Sequence, residues 1–177
     1  TGNMSAFILD RPVVVLTDLG EYYQRELERA HGQRANVTVR TWNLEEPADD
    51  VIQSSRLDTI ICLNVLEHIR DDGKALQNMA DALAPGGRLL LLVPAIKLLY
   101  GSLDIHLDHF RRYGRRELIE KLQRSGLELE THFYMNFFGM AGWFLNSRVF
   151  RRQILSTRQL FLFNKLSPFF IALEKRI

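Results

Sequence analysis

Four stretches of this chain carry side chains that could do chemistry. Asp18 follows Thr17 at the end of the apolar run Val13-Val14-Val15-Leu16. A carboxylate there can accept both hydroxyls of a ribose, or it can cap a helix that begins near Glu21. Asn43-Leu44 comes directly after Trp42. An amide or a backbone N–H at that place can read an adenine edge, although a loop asparagine is also a common turn former. The segment Cys62-Leu63-Asn64-Val65-Leu66-Glu67-His68-Ile69 sets polar groups among apolar ones. His68, His106 and His109 are of the one side-chain type whose ordinary range suits a general base near neutral pH, as deprotonation of a hydroxyl would need. His106 and His109 lack the further ligands that a zinc site needs, and no metal is assigned.

These positions depend on the elements that must hold them. Val13 to Leu16, Leu57 to Leu63 and Leu89 to Val93 are continuous apolar runs rich in β-branched residues or leucine, the pattern of parallel strands buried on both faces. Asn36 to Arg40 alternates as a short strand, and Ser5 to Leu9 reads as a helix remnant. Helices are predicted over Glu21 to Ala30, with Gly32 as a stop signal, and over Asp71 to Leu83, whose acidic start suits the helix dipole. Strand, helix and strand recur in order, which predicts a doubly wound, mainly parallel α/β sheet with helices on both faces. In such a sheet ligands bind outside the carboxyl ends of the strands, where Asp18 and Asn64 fall.

Downstream, Ala95 to Tyr113 is longer than a plain strand-to-helix loop. A helix over Arg115 to Ser125, a strand over Leu127 to Tyr134 and helices over Met140 to Arg151 and Thr157 to Arg176 are predicted next. Pro168 should kink or divide the last of these, and Ser156 with Gln159 forms a capping-box pair at its start.

With 177 residues, 46% of them hydrophobic and 25% charged, the chain suits a single soluble core. The one cysteine, Cys62, lies in an apolar run as a core residue and fits a reducing, cytoplasmic setting. No apolar run approaches the roughly 20 residues of a membrane span, and no secretory signal opens the sequence. Charge is uneven: residues 1 to 100 carry 10 Lys and Arg against 14 Asp and Glu, while residues 101 to 177 carry 13 against 7.

Asp18, Asp58, Asn64 to Ile69 and Leu83-Ala84-Pro85-Gly86-Gly87-Arg88-Leu89 form an ordered set. In order and spacing it resembles the class I S-adenosylmethionine-dependent methyltransferases, over nearly all of residues 1 to about 135. The resemblance implies a Rossmann-like methyltransferase domain over 1–177, with a cofactor-binding half at 1–94 and an acceptor or lid half at 95–177. It implies S-adenosyl-L-methionine as cofactor, with Asp18 on the ribose, Leu19 beside it, Asn43 and Leu44 at the adenine, and Asn64, Val65 and His68 near the methionine part. Asparagine at 43 departs from the family's usual aspartate. The Gly-x-Gly-x-Gly loop and the first strand of the family are also missing, unless Gly2 in Thr1-Gly2-Asn3 is the tail of that loop. Met4 as an initiator is the other reading. A chain truly lacking that strand would have a gap in its sheet between the strands leading to Asp18 and Asn64, so the expectation is a protein that extends upstream.

Phe133, Tyr134, Phe137, Phe138, Trp143 and Phe144 suggest an apolar pocket for a small, lipid-like or aromatic acceptor, or else core packing or a homodimer interface. Arg148, Arg151, Arg152 and Arg158 beside Phe150, Phe161 and Phe163 suggest peripheral contact with an anionic membrane surface. The nearly balanced net charge of +2 argues against a nucleic-acid substrate, despite Arg111-Arg112-Tyr113-Gly114-Arg115-Arg116, which reads as a solvated face. Two rival functions stand beside methyl transfer. One is a nicotinamide-dependent oxidoreductase, since Asp18 suits the ribose of NAD equally well; the other is a non-catalytic cofactor-binding or protein-interaction module.

Overall fold

A computed structural model describes residues 4–174 of the chain. It divides into two compact units: residues up to 61 together with 74–90, and residues 62–73 together with those from 91 onward.

In the first unit, β1 (Val14–Thr17) and β2 (Val37–Arg40) pair in parallel, with Val14 opposite Val37 and Thr17 opposite Arg40. A parallel pair needs a crossover, and α1 (Glu21–His31) supplies it. Val14, Leu16, Val37 and the helical Leu27 form one buried apolar cluster. Gly32 ends α1 by donating its N–H to the Glu28 carbonyl at 2.8 Å.

The short helix α2 (Asp50–Ser54) is not apparent in the sequence, although Asp49 caps it by accepting the Ile52 N–H at 2.8 Å. Next come β3 (Leu57–Leu63), α3 (Asp72–Ala82) and β4 (Leu83–Leu92), and β3 and β4 make a second two-stranded sheet. The strand β4 starts directly after α3 and runs through Pro85-Gly86-Gly87, where a turn would be expected; Gly86 takes φ +78°, a conformation costly for any residue with a Cβ. Among the described residues the strands form two separate two-stranded sheets, β1 with β2 and β3 with β4.

In the second unit the long connection is structured. Ala95 and Tyr113 form a parallel bridge: Tyr113 donates its N–H to the Pro94 carbonyl at 2.9 Å and accepts at its own carbonyl from Ile96 at 3.1 Å. Between them lie a 3-10 turn at Lys97–Leu99 and α4 (Ser102–His106). Helix α5 (Arg115–Arg124) ends at Gly126, with φ +76°. The remaining helices are α6 (Phe137–Phe144), which continues as a π-turn over Leu145–Val149, and α7 (Thr157–Glu174).

One expectation fails here and another is narrowed. Leu127 to Tyr134 is not a strand. Its alternation favours extended backbone, but a strand needs a ladder partner, and Phe133 stands 78% exposed without one. Of the kink or division expected at Pro168, division does not occur, and α7 runs through it. The Asn164 carbonyl, which proline leaves without its N–H donor, accepts the Ser167 hydroxyl at 2.9 Å instead. Ser156 and Gln159 do form the predicted capping pair, through Ser156 N–H to Gln159 Oε1 at 3.2 Å and Gln159 N–H to Ser156 Oγ at 3.3 Å.

Candidate active site

The first unit carries the residues expected at the nucleoside end. Asp18 and Asn43 follow the carboxyl ends of β1 and β2, which are hydrogen-bonded neighbours. Gln24 on α1 ties these ends together, its amide reaching the Asp18 carbonyl at 2.7 Å and the Thr41 hydroxyl at 2.8 Å. Asp18 Oδ1 accepts the Gly20 N–H at 2.9 Å, which orients the carboxylate at the start of α1. Its Oδ2 has no hydrogen bond among the described residues and is free to accept a hydroxyl. Capping and ligand binding are therefore compatible at Asp18, one oxygen for each.

Asn43 differs. Its Oδ1 accepts the Glu45 N–H at 3.1 Å, and its carbonyl accepts from Glu46 at 2.9 Å, so the side chain builds its own turn. Its NH2 group remains to donate. Two further residues hold this turn: buried Trp42 donates its indole N–H to the Glu46 carbonyl at 3.1 Å, and Asn78 on α3 donates to the Leu44 carbonyl at 2.8 Å. Leu19 is exposed. Gly2 lies outside the described residues.

The second unit carries the residues expected near the reacting groups. Asn64 takes a left-handed φ of 52° and donates its N–H to the Leu92 carbonyl at 2.9 Å, which turns the chain sharply at the end of β3. Asparagine tolerates that conformation better than most residues. Val65 is exposed, whereas the following 3-10 turn, Leu66–His68, buries Leu66 and Glu67.

Of the three histidines, two come together. The rings of His68 and His109 meet edge to face, 4.7 Å between centroids. His109 Nδ1 lies 3.2 Å from Asp104 Oδ1, and Asp104 also accepts from Arg112 Nε at 2.7 Å and from the Trp143 indole at 3.1 Å. Burial pulls the His109 pKa below its ordinary value and outweighs the opposing pull of Asp104. His106 is exposed at the end of α4 and joins neither ring.

Glu67, inside the 62–69 segment, has a role that no local sequence signal marks. It is 1% exposed, and neither carboxylate oxygen has a hydrogen-bond partner of acceptable geometry. Burial pushes its pKa up to about 7; its own peptide N–H and the Arg112 guanidinium pull the other way without reversing this. The neighbouring Cys62 thiol is pushed up to about 12 by burial and by the Glu67 charge, which makes it an inert core group.

A second cluster ties this loop to α5. Asp72 binds Lys121 Nζ at 2.7 Å and Arg111 at 2.9 Å, and it accepts the Tyr113 hydroxyl at 2.9 Å. Burial alone would raise the Asp72 pKa, but hydrogen bonds from Lys121, Arg111 and Tyr113 outweigh it and hold the carboxyl below its ordinary range. The Arg111 to Arg116 stretch is thus not a uniformly solvated face: Arg112 is 7% and Tyr113 2% exposed. Phe110 takes part as well, with Arg70 stacked over its ring at 5.0 Å.

Comparison with known proteins gives a consistent picture. A family model described as a methyltransferase domain matches residues 4–132, more than half of the chain. Over 76 residues the chain is 32% identical to a ubiquinone biosynthesis O-methyltransferase of Marinobacter nauticus, a match that covers 42% of this chain and 32% of that protein. The chain thus spans about a third of the length of that curated relative. Among solved structures it is similar to the YcgJ protein of Bacillus subtilis, with a TM-score of 0.59 at 17% identity, over 81% of this chain and 65% of that one. It is also similar to the CurJ carbon methyltransferase, with a TM-score of 0.56 at 20% identity, over 78% and 43%. These likenesses identify the Rossmann-like methyltransferase fold.

Proposed function

The chain belongs to the methyltransferase domain family, and on that premise we propose that it is part of an enzyme that moves a methyl group from S-adenosyl-L-methionine to a small-molecule acceptor. The observation that carries this reading is Asp18, a half-buried carboxylate at a strand's carboxyl end with one oxygen anchored and the other free. Such a group accepts a ribose hydroxyl without rearranging. Asn43 in this reading donates from its NH2 group to an adenine ring nitrogen, because its oxygen is already engaged in the turn. Asn64 and Val65 line the methionine side.

When bound, S-adenosyl-L-methionine supplies a methyl group already activated on a sulfonium, so the chain's own residues have mainly to position and to exclude water. If the acceptor is a hydroxyl, the His68 and His109 pair is better placed to receive its proton than exposed His106. The Marinobacter relative is an O-methyltransferase, which favours a hydroxyl acceptor. Exposed Phe133, Tyr134 and Phe137 favour an aromatic or lipid-like one. No helix among the described residues is long and apolar enough to cross a membrane. Exposed Phe150 and Phe161, near Arg151, Arg152 and Arg158, support contact with an anionic surface.

Calorimetric titration of an N-terminally extended protein with S-adenosylmethionine, S-adenosylhomocysteine and NAD tests the cofactor. Binding of the first two and not NAD is expected. Preference for NAD would overturn the reading in favour of an oxidoreductase, and binding of none would favour an interaction module.

A further inference from the structure

We propose that Glu67, His68 and His109 form a binding site for one divalent transition-metal ion. A carboxylate oxygen of Glu67 and one ring nitrogen from each histidine all lie within 4.8 Å of one another. Ligands around a four-coordinate zinc stand roughly 3.4 Å apart, so a modest inward movement completes the set. His68, whose side chain is exposed, is the ligand with room to make it.

Three observations point to a cation and go beyond proximity. The Glu67 carboxylate is buried with both oxygens unpartnered, an arrangement that is costly unless the group is protonated or meets a cation. The nearby guanidinium, that of Arg112, is turned to Asp104 and does not satisfy it. Second, Asp104 engages His109 through Nδ1, leaving Nε2 as the free donor, which is the carboxylate–histidine orientation typical of metal-bound imidazoles. Third, the backbone fixes the ligands before any ion arrives. Phe110 donates its N–H to the Glu67 carbonyl at 2.8 Å, and the Tyr100 hydroxyl donates to the His109 carbonyl at 2.8 Å.

The donor set selects among ions. Two imidazoles and one carboxylate suit zinc, cobalt, manganese or iron(II) and leave coordination positions open, whereas magnesium and calcium prefer oxygen ligands throughout. The buried Cys62 thiol is not among the clustered ligand atoms and takes no part. Imidazoles that hold an ion cannot also accept the acceptor's proton, so an occupied site replaces the base role of His68 and His109 given above; it does not depend on which acceptor is methylated.

The test uses the full chain, stripped with chelator and titrated with Zn2+, Co2+ and Mg2+ by calorimetry, with visible spectroscopy for Co2+. One Zn2+ or Co2+ per chain is expected, with Mg2+ at least about 100-fold weaker, and Co2+ bands without thiolate charge transfer. Glu67→Gln, His68→Ala and His109→Ala should each weaken Zn2+ about 10- to 100-fold or more, while His132→Ala, an exposed histidine, should not. Because Glu67→Gln keeps the side chain's volume, it preserves the packing; circular dichroism of each variant checks that it is folded. Absence of Zn2+ and Co2+ binding, or binding unchanged in all three ligand variants, would overturn the proposal and leave Glu67 as a protonated buried acid.

Discussion

The two units hold themselves together by different means. The first rests on hydrocarbon, with Val14, Leu16, Leu27 and Val37 closing on one another while the ionic groups stay near the surface. In the second, carboxylates take central positions: Asp72 is surrounded by Lys121, Arg111 and Tyr113, Asp104 by Arg112, His109 and Trp143, and Glu67 stands beside them without a partner. Apolar packing is indifferent to pH and tolerant of volume-conserving change. Buried charge is directional and depends on every partner being present. A unit built around charge positions polar groups tightly, which suits chemistry more than robustness.

The largest expected effect tests the charged unit. Asp72→Ala leaves two cations and a phenol hydroxyl without their shared acceptor, and a stability loss of about 3–5 kcal/mol is expected in urea unfolding. A loss below about 1 kcal/mol would mean that the cluster is solvated and the contrast unfounded. Next comes the apolar unit, where Leu27→Ala should lose about 2–4 kcal/mol through its cavity, by an amount that does not vary between pH 4 and 8.

Asp72 adds a pH test with a definite sign. Its pKa is lowered on folding, so its contribution is fully present above the unfolded value of about 3.9 and is lost as pH falls through the folded value below that. The stability gap between the natural protein and Asp72→Asn should accordingly be constant from pH 8 to 5 and shrink in more acidic buffer. A gap that widens on acidification would reverse the assignment.

Asp18→Ala should weaken S-adenosylmethionine binding by about 1.5–3 kcal/mol and leave the melting temperature nearly unchanged, since only the Gly20 N–H loses a partner. Equal affinity in the folded variant would remove Asp18 from the ribose. The smallest effect belongs to the exposed pair on α5: Arg116→Ala, which breaks the contact with Glu120, should change stability by less than about 0.5 kcal/mol. Set beside Asp72→Ala, it separates buried from solvated charge within one unit.

Much of the fold was legible in the sequence because its strands are marked by composition. Leu57–Leu63 is found where its β-branched run predicts, and β1, β2 and α1 lie within a residue or so of their expected bounds. Leu127 to Tyr134 shows the limit of that signal, since alternation reports what a segment could do and a ladder needs a neighbour. At the candidate site, Asp18 and the 64–69 segment could be singled out because chemistry and strand end coincide. Asn43 was legible as a residue and not as a geometry: only the structure shows its oxygen spent on Glu45. Arg112 and Tyr113 were read as solvated because a run of arginines usually is, and their burial has no local signature.

By itself the sequence determined the order of strands and helices, the residue types at the strand ends, and membership of the methyltransferase family, all carried by patterns a few residues long. Which polar groups share an interior was decided only by tertiary structure. Asp72 meets Tyr113 from 41 residues away and Lys121 from 49, and no periodicity of two or of three to four residues records such a meeting. The same is true of Glu67 and His109. Their pairing follows from the bridge between Ala95 and Tyr113, which folds the long connection back onto the end of β3, and the burial that results sets the acidity of both groups.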